Sequence, residues 1–582
     1  MKKAICGRIP KARFQIDGFL KDYLRGVTEQ WLLVAPKANP AMLEMFRDRD
    51  ASPLREMVPW AGEFAGKYLT AAVQVLRVTG DPALKAWLRE FVPRLISCQD
   101  TDGYLGPWPR GCRLTNVNSE GMLTWDTWGH YHAMLGLLLW HEETGDKAAL
   151  ACAAKVADLL CRKYLGKKKL RLVDTGKTEM NLAPVHSLCI LYRKTKEERY
   201  LKLAMQIVDE FAAESKGKPL AGDYLRQALG GKEFFQTPKP RWESLHPIMG
   251  LAELYWITGE DQYREAFEQI WWSIVKFDRH NNGGFTSGEQ AYGDPYNLGA
   301  IESCCTIAWV AMSVEMLRMT GNSIVADELE LATLNSIVGM HSSTGRWATY
   351  NTPMDGVRKA SAHDIVFQSR EGSPELNCCS VNGPRGLGMV SDWALMRDAD
   401  GLLLNWYGPG RMETRIGEGV KVAVVQATEY PRGGHISIRV DPSRAAEFAV
   451  KLRVPYWSRR TKVRVNGEAV QGVKSGAYLA LNRRWKRGDR IELELDMSLH
   501  YWRGEKECRN KVSLFRGPVL LTYDRRFNAM DPAELPRLDA TGLRGKLVAV
   551  EGAIVALDFA AQDGSALRLC DFASAGEGGS PY

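Results

Sequence analysis

Apolar residues recur with helical spacing over roughly the first two-thirds of the chain, and each helical stretch ends in a similar short phrase. The phrase is Thr-Gly followed by an acid or Asn, with Lys replacing Gly in one copy. Glycine in the left-handed conformation ends a helix, and the following polar side chain can cap the next one. We therefore predict helix-to-helix turns at residues 79–81, 144–146, 195–197, 258–260 and 320–322.

These turns recur at intervals of roughly 50 to 65 residues, about one helical hairpin plus a loop. Such regularity is typical of an array of αα-hairpins. An array of this kind can close into a toroid or continue as an open solenoid, and the periodicity leaves both open. Two long connections rich in glycine and aromatic residues, 102–108 and 277–299, are loops of the kind that carry function.

From about Gly401 the pattern changes from helical to alternating, which is typical of an antiparallel β-sandwich. Strands are predicted at 402–407, 420–425, 436–440, 448–454, 462–467 and 491–495, with weaker ones at 547–550, 554–557 and 567–569. We therefore predict three domains: a helical domain at 1–400, a β-sandwich at 401–523 and a small β-rich module at 524–582.

The composition suits a multidomain globular protein, because 582 residues exceed what one compact core supports and 45% are hydrophobic. The net charge of +8 is spread among acidic residues, so we expect no nucleic-acid partner. The 12 cysteines lack the spacing of a secreted disulfide framework, which favours a reducing compartment.

The N-terminal residues carry the charges of a signal peptide but no apolar segment behind them. We predict a cytoplasmic protein, with a trimmed N-terminus as the alternative. No apolar run approaches the length that spans a bilayer, so no membrane partner is expected.

Two short pieces far apart in the sequence read together as one metal site. They supply Glu302 and Cys304 from one piece and the vicinal pair Cys378 and Cys379 from the other. Thiolates are soft ligands that suit Zn²⁺, and a carboxylate can complete a four-coordinate shell. Each piece precedes a helical pattern, so the helix ends would lower the thiol pKa values. Buried cysteines that merely fill the core are the alternative, which these residues leave open.

The pattern Glu302-x-Cys304 followed by Cys378-Cys379-x-x-Asn382-x-x-Arg385 resembles glycoside hydrolase family 127, the β-L-arabinofuranosidase family, or a close sister family. The resemblance extends from about Phe14 to the strand-rich region after His500. It implies that the hairpins close into an (α/α)6 toroid with the active site at one mouth. Residues 14–33 would then provide an early helix.

The resemblance also implies a zinc-dependent, retaining exo-glycosidase that releases L-arabinofuranose or a related sugar. Zinc would be held by Glu302, Cys304, Cys378 and Cys379, with Cys378 as the nucleophile. The general acid/base would be Glu289, on the glycine-rich loop 283–290. Without the resemblance, Glu289 would be read as a solvated side chain on a surface turn.

Aromatic and histidine side chains are candidates for the sugar pocket. They are Trp128, His130, His132, His246 and Tyr350. The chain departs from the family pattern at residues 125–128, at 380–381, where the family often has prolines, and at Cys305. The sugar and its linkage therefore stay open.

Two alternatives to a glycosidase remain at this stage. One is a non-catalytic carbohydrate-binding or scaffold protein with a structural zinc. The other is a sugar epimerase or lyase on the same toroid, which would use His or Tyr as acid and base, because toroids host unrelated chemistries. A small carbohydrate or glycoside is the expected partner in each case, and homodimerisation is left open.

Overall fold

The structure is a computed structural model that describes residues 4–115, 117, 121, 123–286, 288–360, 376–417, 419–539 and 542–582. Within these ranges the α-helices of nine residues or more number twelve. They are α1 (Phe19–Val27), α2 (Phe64–Thr79), α3 (Pro82–Ile96), α4 (Asp126–Thr144), α5 (Lys147–Tyr164), α6 (Pro184–Thr195), α7 (Glu198–Glu210), α8 (Leu245–Thr258), α9 (Asp261–Phe277), α10 (Ser303–Thr320), α11 (Ser323–Leu331) and α12 (Cys378–Gly388).

The helices form two concentric rings, which settles the choice between toroid and solenoid. Each inner helix contacts the next in the order α2, α4, α6, α8, α10, α12, and α12 packs back against α2. Each inner helix also packs against an outer one: α3, α5, α7, α9 and α11 follow their partners in sequence, while α1 packs against α12. The predicted (α/α)6 toroid is therefore confirmed.

The repeated turn phrase ends the inner helices as predicted. The residue after α2, α4, α8 and α10 is a glycine in the left-handed region, and Lys196 after α6 adopts the same conformation at φ 61°. Asp81, Asp146 and Asn322 then accept backbone N–H groups at the start of the next helix. Because a left-handed residue reverses the chain within one turn, each phrase places an outer helix against its inner partner.

Antiparallel β-sheets follow the toroid, as predicted. The first sheet has the order β1 (Gly7–Arg8), β7 (Leu395–Arg397), β8 (Gly401–Leu404), β12 (Ala446–Val454), β15 (Ala477–Trp485). The second has the order β14 (Glu468–Ala469), β13 (Lys462–Val465), β16 (Asp489–Glu494), β11 (His435–Pro442), β10 (Val420–Thr428), β9 (Gly410–Ile416), β2 (Arg13–Ile16). The β8 and β12 strands pair in parallel.

A third sheet has the order β17 (Leu499–Arg503), β18 (Val512–Arg516), β19 (Val519–Tyr523), β22 (Ala566–Asp571), β21 (Ala556–Ala560), β20 (Gly545–Val548). It crosses the boundary that we predicted at residue 524, since β19 pairs with β22. Two short two-stranded sheets lie within the toroid: β3 (Glu214–Ser215) with β4 (Lys218–Pro219), and β5 (Ile301–Glu302) with β6 (Asn351–Thr352). The domain boundaries themselves stay predictions.

The N-terminal segment differs from the early helix expected over residues 14–33. Arg13–Ile16 forms β2, whose Phe14 pairs with Met412 of β9, and helix α1 begins only at Phe19. The chain therefore starts in the sheets and then enters the toroid. An edge strand supplied from so far away in sequence leaves no local signal.

Buried ion pairs join the toroid to the sheets. The Arg453 guanidinium of β12 lies 2.6 Å from Asp327 and 2.5 Å from Glu330, both on α11, and all three side chains are fully buried. Breaking a buried pair by removing one partner costs about 3–5 kcal/mol, so these contacts fix the sheets against the outer ring.

None of the described helices is long and apolar enough to cross a membrane. The 12 cysteines all lie in the described ranges, and none forms a disulfide bond.

Candidate active site

Two inner helices begin at the same mouth of the toroid and carry the cysteines. Glu302 ends β5 and immediately precedes α10, and Cys304 is the second residue of that helix. Cys378 is the first residue of α12, where the Asn377 side chain accepts the N–H groups of Cys379 and Ser380 at 3.1 and 3.0 Å. Both pieces therefore lie at helix N-termini, as predicted.

The four candidate ligands form one compact cluster. One ligand atom from each of Glu302, Cys304, Cys378 and Cys379 lies within 4.8 Å of all the others. The Cys379 Sγ is 3.6 Å from the Cys304 Sγ, 3.9 Å from the Cys378 Sγ and 3.5 Å from a Glu302 oxygen. The other carboxylate oxygen of Glu302 is buried without a hydrogen-bond partner.

These separations fit a zinc ion. Tetrahedral coordination with Zn–S bonds of about 2.3 Å and Zn–O bonds of about 2.0 Å separates two sulfurs by about 3.8 Å and a sulfur from an oxygen by about 3.5 Å. The set of three thiols and one carboxylate is also the soft donor set that zinc prefers. Burial of four ionisable groups together would be costly without a cation among them.

The environment acts on the thiols unequally. Burial alone would raise the pKa of Cys304, but hydrogen bonds from Cys378 and Cys379 and the charge of Lys67 outweigh it, so the pKa falls well below its ordinary value. The pKa of Cys378 is raised, chiefly by the neighbouring Cys304. Cys304 is therefore the first of the three thiols to become a thiolate.

A buried ammonium supports that thiolate. The Lys67 Nζ on α2 lies 3.8 Å from the Cys304 Sγ and 3.0 Å from a Glu63 oxygen, and both side chains are only 1% exposed. The ammonium also lies over the rings of Trp128 and Trp242, 5.6 and 5.2 Å from their centroids. Burial raises the pKa of Glu63 to about 7 even with this ammonium beside it.

Cys378 is the most exposed of the four ligands, at 4% against 1% or less for the others. Its Sγ lies 3.3 Å from the hydroxyl of Tyr350, one of the predicted sugar-pocket residues. Burial and the nearby Cys378 raise the pKa of Tyr350, so the phenol keeps its proton. A protonated phenol can donate a hydrogen bond to a thiolate at this position.

Glu289 lies beside the cluster, on the loop between α9 and α10. Its side chain is 35% exposed and forms a very short ion pair with Arg241. Burial raises the pKa of Glu302 well above its ordinary value, and the charge of Cys304 and the contact with Glu289 add to this effect. The structure thus brings the predicted acid/base to the predicted metal site.

A second acid, Glu243, also forms an ion pair with Arg241. Both Glu243 oxygens accept hydrogen bonds from Arg241, at 2.8 and 3.0 Å, and the side chain is 1% exposed. Burial raises the pKa of Glu243 to about 7 despite that arginine. Arg241 therefore links a buried acid to the more accessible Glu289.

Three predicted pocket residues pack together behind the cluster. The rings of His132 and His246 lie 4.4 and 4.9 Å from the Trp128 ring, and all three side chains are buried. Neither ring nitrogen of His132, nor the Nδ1 of His246, has a hydrogen-bond partner. Burial lowers the pKa of both histidines well below the ordinary value, so they are neutral.

Both ring nitrogens of His130 contact backbone groups of the protein. Its Nε2 accepts the Leu105 N–H at 3.2 Å and its Nδ1 lies 2.8 Å from the Asp126 carbonyl oxygen. The ring is fully buried. Unlike His132, it has no ring nitrogen left for a ligand.

The residues that the sequence analysis missed are Glu63, Lys67, Arg241 and Glu243. The pairs had weak local signals: Glu63 and Lys67 have the i,i+4 spacing of a helical ion pair, and Arg241 and Glu243 are opposite charges two residues apart. Such spacings are common on solvated surfaces. Nothing local showed that these charges are buried.

The convergence of thiols and acids at one mouth of the toroid is the arrangement of an enzyme active site. The family model described as "Beta-L-arabinofuranosidase, GH127 catalytic domain" matches residues 21–392, and that of the GH127 middle domain matches residues 401–497. The chain belongs to glycoside hydrolase family 127.

Known relatives agree with this assignment. A non-reducing end β-L-arabinofuranosidase from Bifidobacterium longum subsp. longum is 27% identical over 516 residues, covering 80% of this chain and 75% of that protein. The structure of a GH127 β-arabinofuranosidase superposes with a TM-score of 0.82 at 20% identity, covering 99% and 96% of the two chains. A GH127 β-L-arabinofuranosidase from Geobacillus stearothermophilus T6 gives 0.77 at 21% identity, covering 98% of each chain.

The family membership makes the protein a glycoside hydrolase. This removes the binding-protein and epimerase or lyase alternatives as descriptions of its class. The solved structures support the fold at these identities, while the chemistry of this chain follows from its own residues.

Proposed function

We propose that the protein is a zinc-dependent, retaining exo-glycosidase that releases L-arabinofuranose or a related sugar from β-linked glycosides. The named activity of the Bifidobacterium relative supports the sugar. The four-ligand cluster supports the metal.

The observation that carries the proposal is the position of Cys378. It is the most exposed of the four ligands and contacts Tyr350, while Glu289 stands next to the same cluster. A retaining glycosidase needs one nucleophile and one acid/base across the scissile bond. Cys378 and Glu289 supply these two groups.

The reaction would proceed by double displacement. The Cys378 sulfur attacks the anomeric carbon and forms a carbon–sulfur bond, while the bond to the leaving oxygen breaks and Glu289 gives that oxygen its proton. Water then attacks the same carbon and gives a proton to Glu289, and the bond to sulfur breaks. Two inversions give overall retention and return both residues to their starting states.

Zinc held by Glu302, Cys304, Cys378 and Cys379 would keep the cysteines deprotonated and stabilise the sulfur as it leaves the sugar. Tyr350 would orient the attacking sulfur through its hydroxyl. Lys67 would hold Cys304 in place through its contact with the sulfur.

Neutral histidines suit the sugar side of the pocket. His132 and His246 carry ring nitrogens without partners, and neutral imidazole can donate to and accept from sugar hydroxyls. Buried polar atoms without partners are uncommon in folded proteins, which supports a ligand-facing role.

The test is a screen of aryl glycosides with purified protein, alongside elemental analysis. We expect about one zinc per chain, hydrolysis of an aryl β-L-arabinofuranoside with retention, and loss of activity after chelation that added zinc restores. Turnover without zinc would contradict the metal assignment. Inverted product would exclude the covalent step, and activity confined to an unrelated sugar would exclude the proposed substrate class.

A further inference from the structure

A cavity lies at the opposite mouth of the toroid from the cysteines. Its volume is about 480 Å³, and its lining comes from every inner helix together with the N-terminal strand β1. Arg385 lines it from α12, seven residues beyond Cys378. At the rise of an α-helix, that spacing is about 10 Å along the axis. None of the four ligands lines the cavity.

Charged side chains dominate this cavity. Six cationic and four anionic residues line it. The cations are Arg8, Arg77, Arg193, Lys194, Arg318 and Arg385, and the anions are Glu142, Glu253, Glu315 and Asp392.

The four acids are already engaged by cations. Glu253 accepts two hydrogen bonds from Arg193 at 3.0 and 2.8 Å, and Glu315 accepts two from Arg318 at 2.8 and 2.7 Å. Asp392 and Glu142 similarly share Arg8 and Arg77. The cavity therefore has more cations than its own carboxylates neutralise.

Two of the six cations, Arg385 and Lys194, form no ion pair with a carboxylate of the described residues, and of these two Lys194 is exposed while Arg385 is buried. Its side chain is 5% exposed, its Nε has no hydrogen-bond partner, and no carboxylate of the described residues lies within ion-pair distance of its guanidinium. It is in the last turn of α12, where the helix end is partly negative, yet it donates to no carbonyl. A buried charge without a partner destabilises the fold, so a bound anion would be favourable here.

We propose that this cavity is an anion-binding site in which Arg385, with Arg318 and Arg193 beside it, takes the oxyanion group of a phosphate-type ligand. A planar guanidinium presents paired N–H donors that match two oxygens of a phosphate or sulfate. Arg193 and Arg318 bind their acids through Nη1, so other N–H groups remain on each. The ligand is either the free ion or the phosphate of a phosphorylated sugar, and the cavity has room for both.

The site is independent of the proposed glycosidase chemistry. It shares helices with the cysteine cluster but no lining residue, so either assignment can fail alone. An anion here would join α6, α10 and α12 at the mouth where no metal ligand holds them together.

The first experiment measures binding to the full-length protein. Thermal unfolding is followed while phosphate, sulfate or chloride is added at constant ionic strength. We expect a saturable rise in Tm with phosphate and sulfate and none with chloride. No rise with any anion, or an equal rise with chloride, would overturn the proposal.

Two further ligands distinguish the sources of the oxyanion. Arabinose 5-phosphate and arabinose are titrated by calorimetry beside inorganic phosphate. Tighter binding of the sugar phosphate than of phosphate would identify a phosphorylated sugar, and equal or weaker binding would identify the free ion. Binding of arabinose 5-phosphate no tighter than arabinose, with no phosphate binding, would contradict an oxyanion site.

The variant Arg385→Gln tests whether phosphate binds at Arg385. We expect it to lose phosphate affinity by about tenfold or more, as for a charge-assisted bidentate contact. The matched control is Arg464→Gln, an exposed arginine of β13 in the sheets, which should bind phosphate like the parent. Phosphate affinity unchanged in Arg385→Gln would refute the assignment.

A measurement without any variant covers the case in which Arg385→Gln does not fold. Crystals of the parent protein are soaked in selenate, whose selenium gives an anomalous signal. A peak beside the Arg385 guanidinium supports the site. Data that show selenate elsewhere but not in this cavity would overturn it.

Discussion

The two mouths of the toroid are built from the same six inner helices, yet they carry opposite charge chemistry. At the N-terminal ends lie a carboxylate and three thiols, all buried. At the C-terminal ends lie arginines, among them Arg77, Arg318 and Arg385 in the last turns of their helices. Helix N-termini favour anions and C-termini favour cations, so a ring of parallel helices separates the two.

The difference between the mouths shows how each charge is compensated. The N-terminal cluster concentrates anions and could hold a cation, which we propose to be zinc. The C-terminal cavity contains more cations than anions, and Arg385 in it has no carboxylate partner among the described residues. The predictions below test this comparison, from the largest expected effect to the smallest.

Replacing Cys378, the proposed nucleophile, should have the largest effect. Cys378→Ala should reduce kcat by about a thousandfold or more, because the covalent step is lost while the helix that carries it remains. Steady-state kinetics with an aryl glycoside measure this. The control is Cys305→Ala, a buried neighbour of Cys304 outside the cluster. Cys378→Ala activity within about tenfold of the parent, ~1.4 kcal/mol in the barrier, would rule out this role.

Removing Glu289, the proposed acid/base, should slow the steps that need proton transfer. Glu289→Gln should lower the rate by about a hundredfold to ten-thousandfold for a poor leaving group and far less for an acidic phenol. Azide, which needs no general base, should restore turnover of the intermediate. The exposed Glu214→Gln should behave like the parent. The prediction fails if both substrates slow equally and azide has no effect, which would favour Glu243 instead.

Removing the buried ammonium should destabilise the anionic mouth. Lys67→Met leaves the Glu63 charge without its partner and should cost about 3–5 kcal/mol in the free energy of unfolding. Denaturant unfolding measures this, and zinc content should fall as Cys304 loses its neighbour. Adding Glu63→Gln to Lys67→Met should recover much of the stability. A matched control is Lys37→Met, whose exposed ammonium lies 5.0 Å from the centroid of Trp87. Equal losses in the two single variants would contradict a special role for Lys67.

The smallest effect concerns a carboxylate of the cationic mouth. Burial would raise the pKa of Glu142, but Arg8 and Arg77 outweigh it and lower the pKa to about 2. A lowered pKa stabilises the fold above the unfolded value of about 4.5, and this contribution is lost as pH falls toward about 2. Because 37% of the side chain is exposed, screening limits it to about 1 kcal/mol.

Glu142→Gln should therefore be less stable than the parent at neutral pH and equal to it at about pH 2. Urea unfolding across that range checks the trend. Asp22→Asn, which breaks an exposed pair with Arg25, is the control and should change little. A difference that grows toward low pH would show that the sign is wrong.

Much of the toroid and the membership of the metal cluster could be predicted from local patterns. The turn phrases ended their helices as expected, because a left-handed Gly80 or Lys196 depends on its own backbone and not on distant contacts. Glu302, Cys304, Cys378 and Cys379 could be grouped because thiols and a carboxylate suit zinc, and the resemblance to glycoside hydrolase family 127 favoured that grouping over core packing.

The sheet edges could not be predicted in the same way. Strand β2 pairs with β9, although the whole toroid separates them in sequence, and β19 pairs with β22, although β20 and β21 lie between them in the chain. Strand pairing is set by which edges the rest of the fold leaves open, and alternation within one strand carries no record of its partner.

The sequence by itself determined the helical array, the alternating strands and the cysteine and glutamate residues, because helix ends, side-chain periodicity and ligand chemistry are local properties. Only the tertiary structure decided that the array closes, that Lys67 lies against Cys304 and that Arg385 is buried without an anion. Closure places residues from different helices within a few ångströms and removes them from water. The energy of a charge depends on the groups and the water around it, and no single stretch of sequence specifies those surroundings.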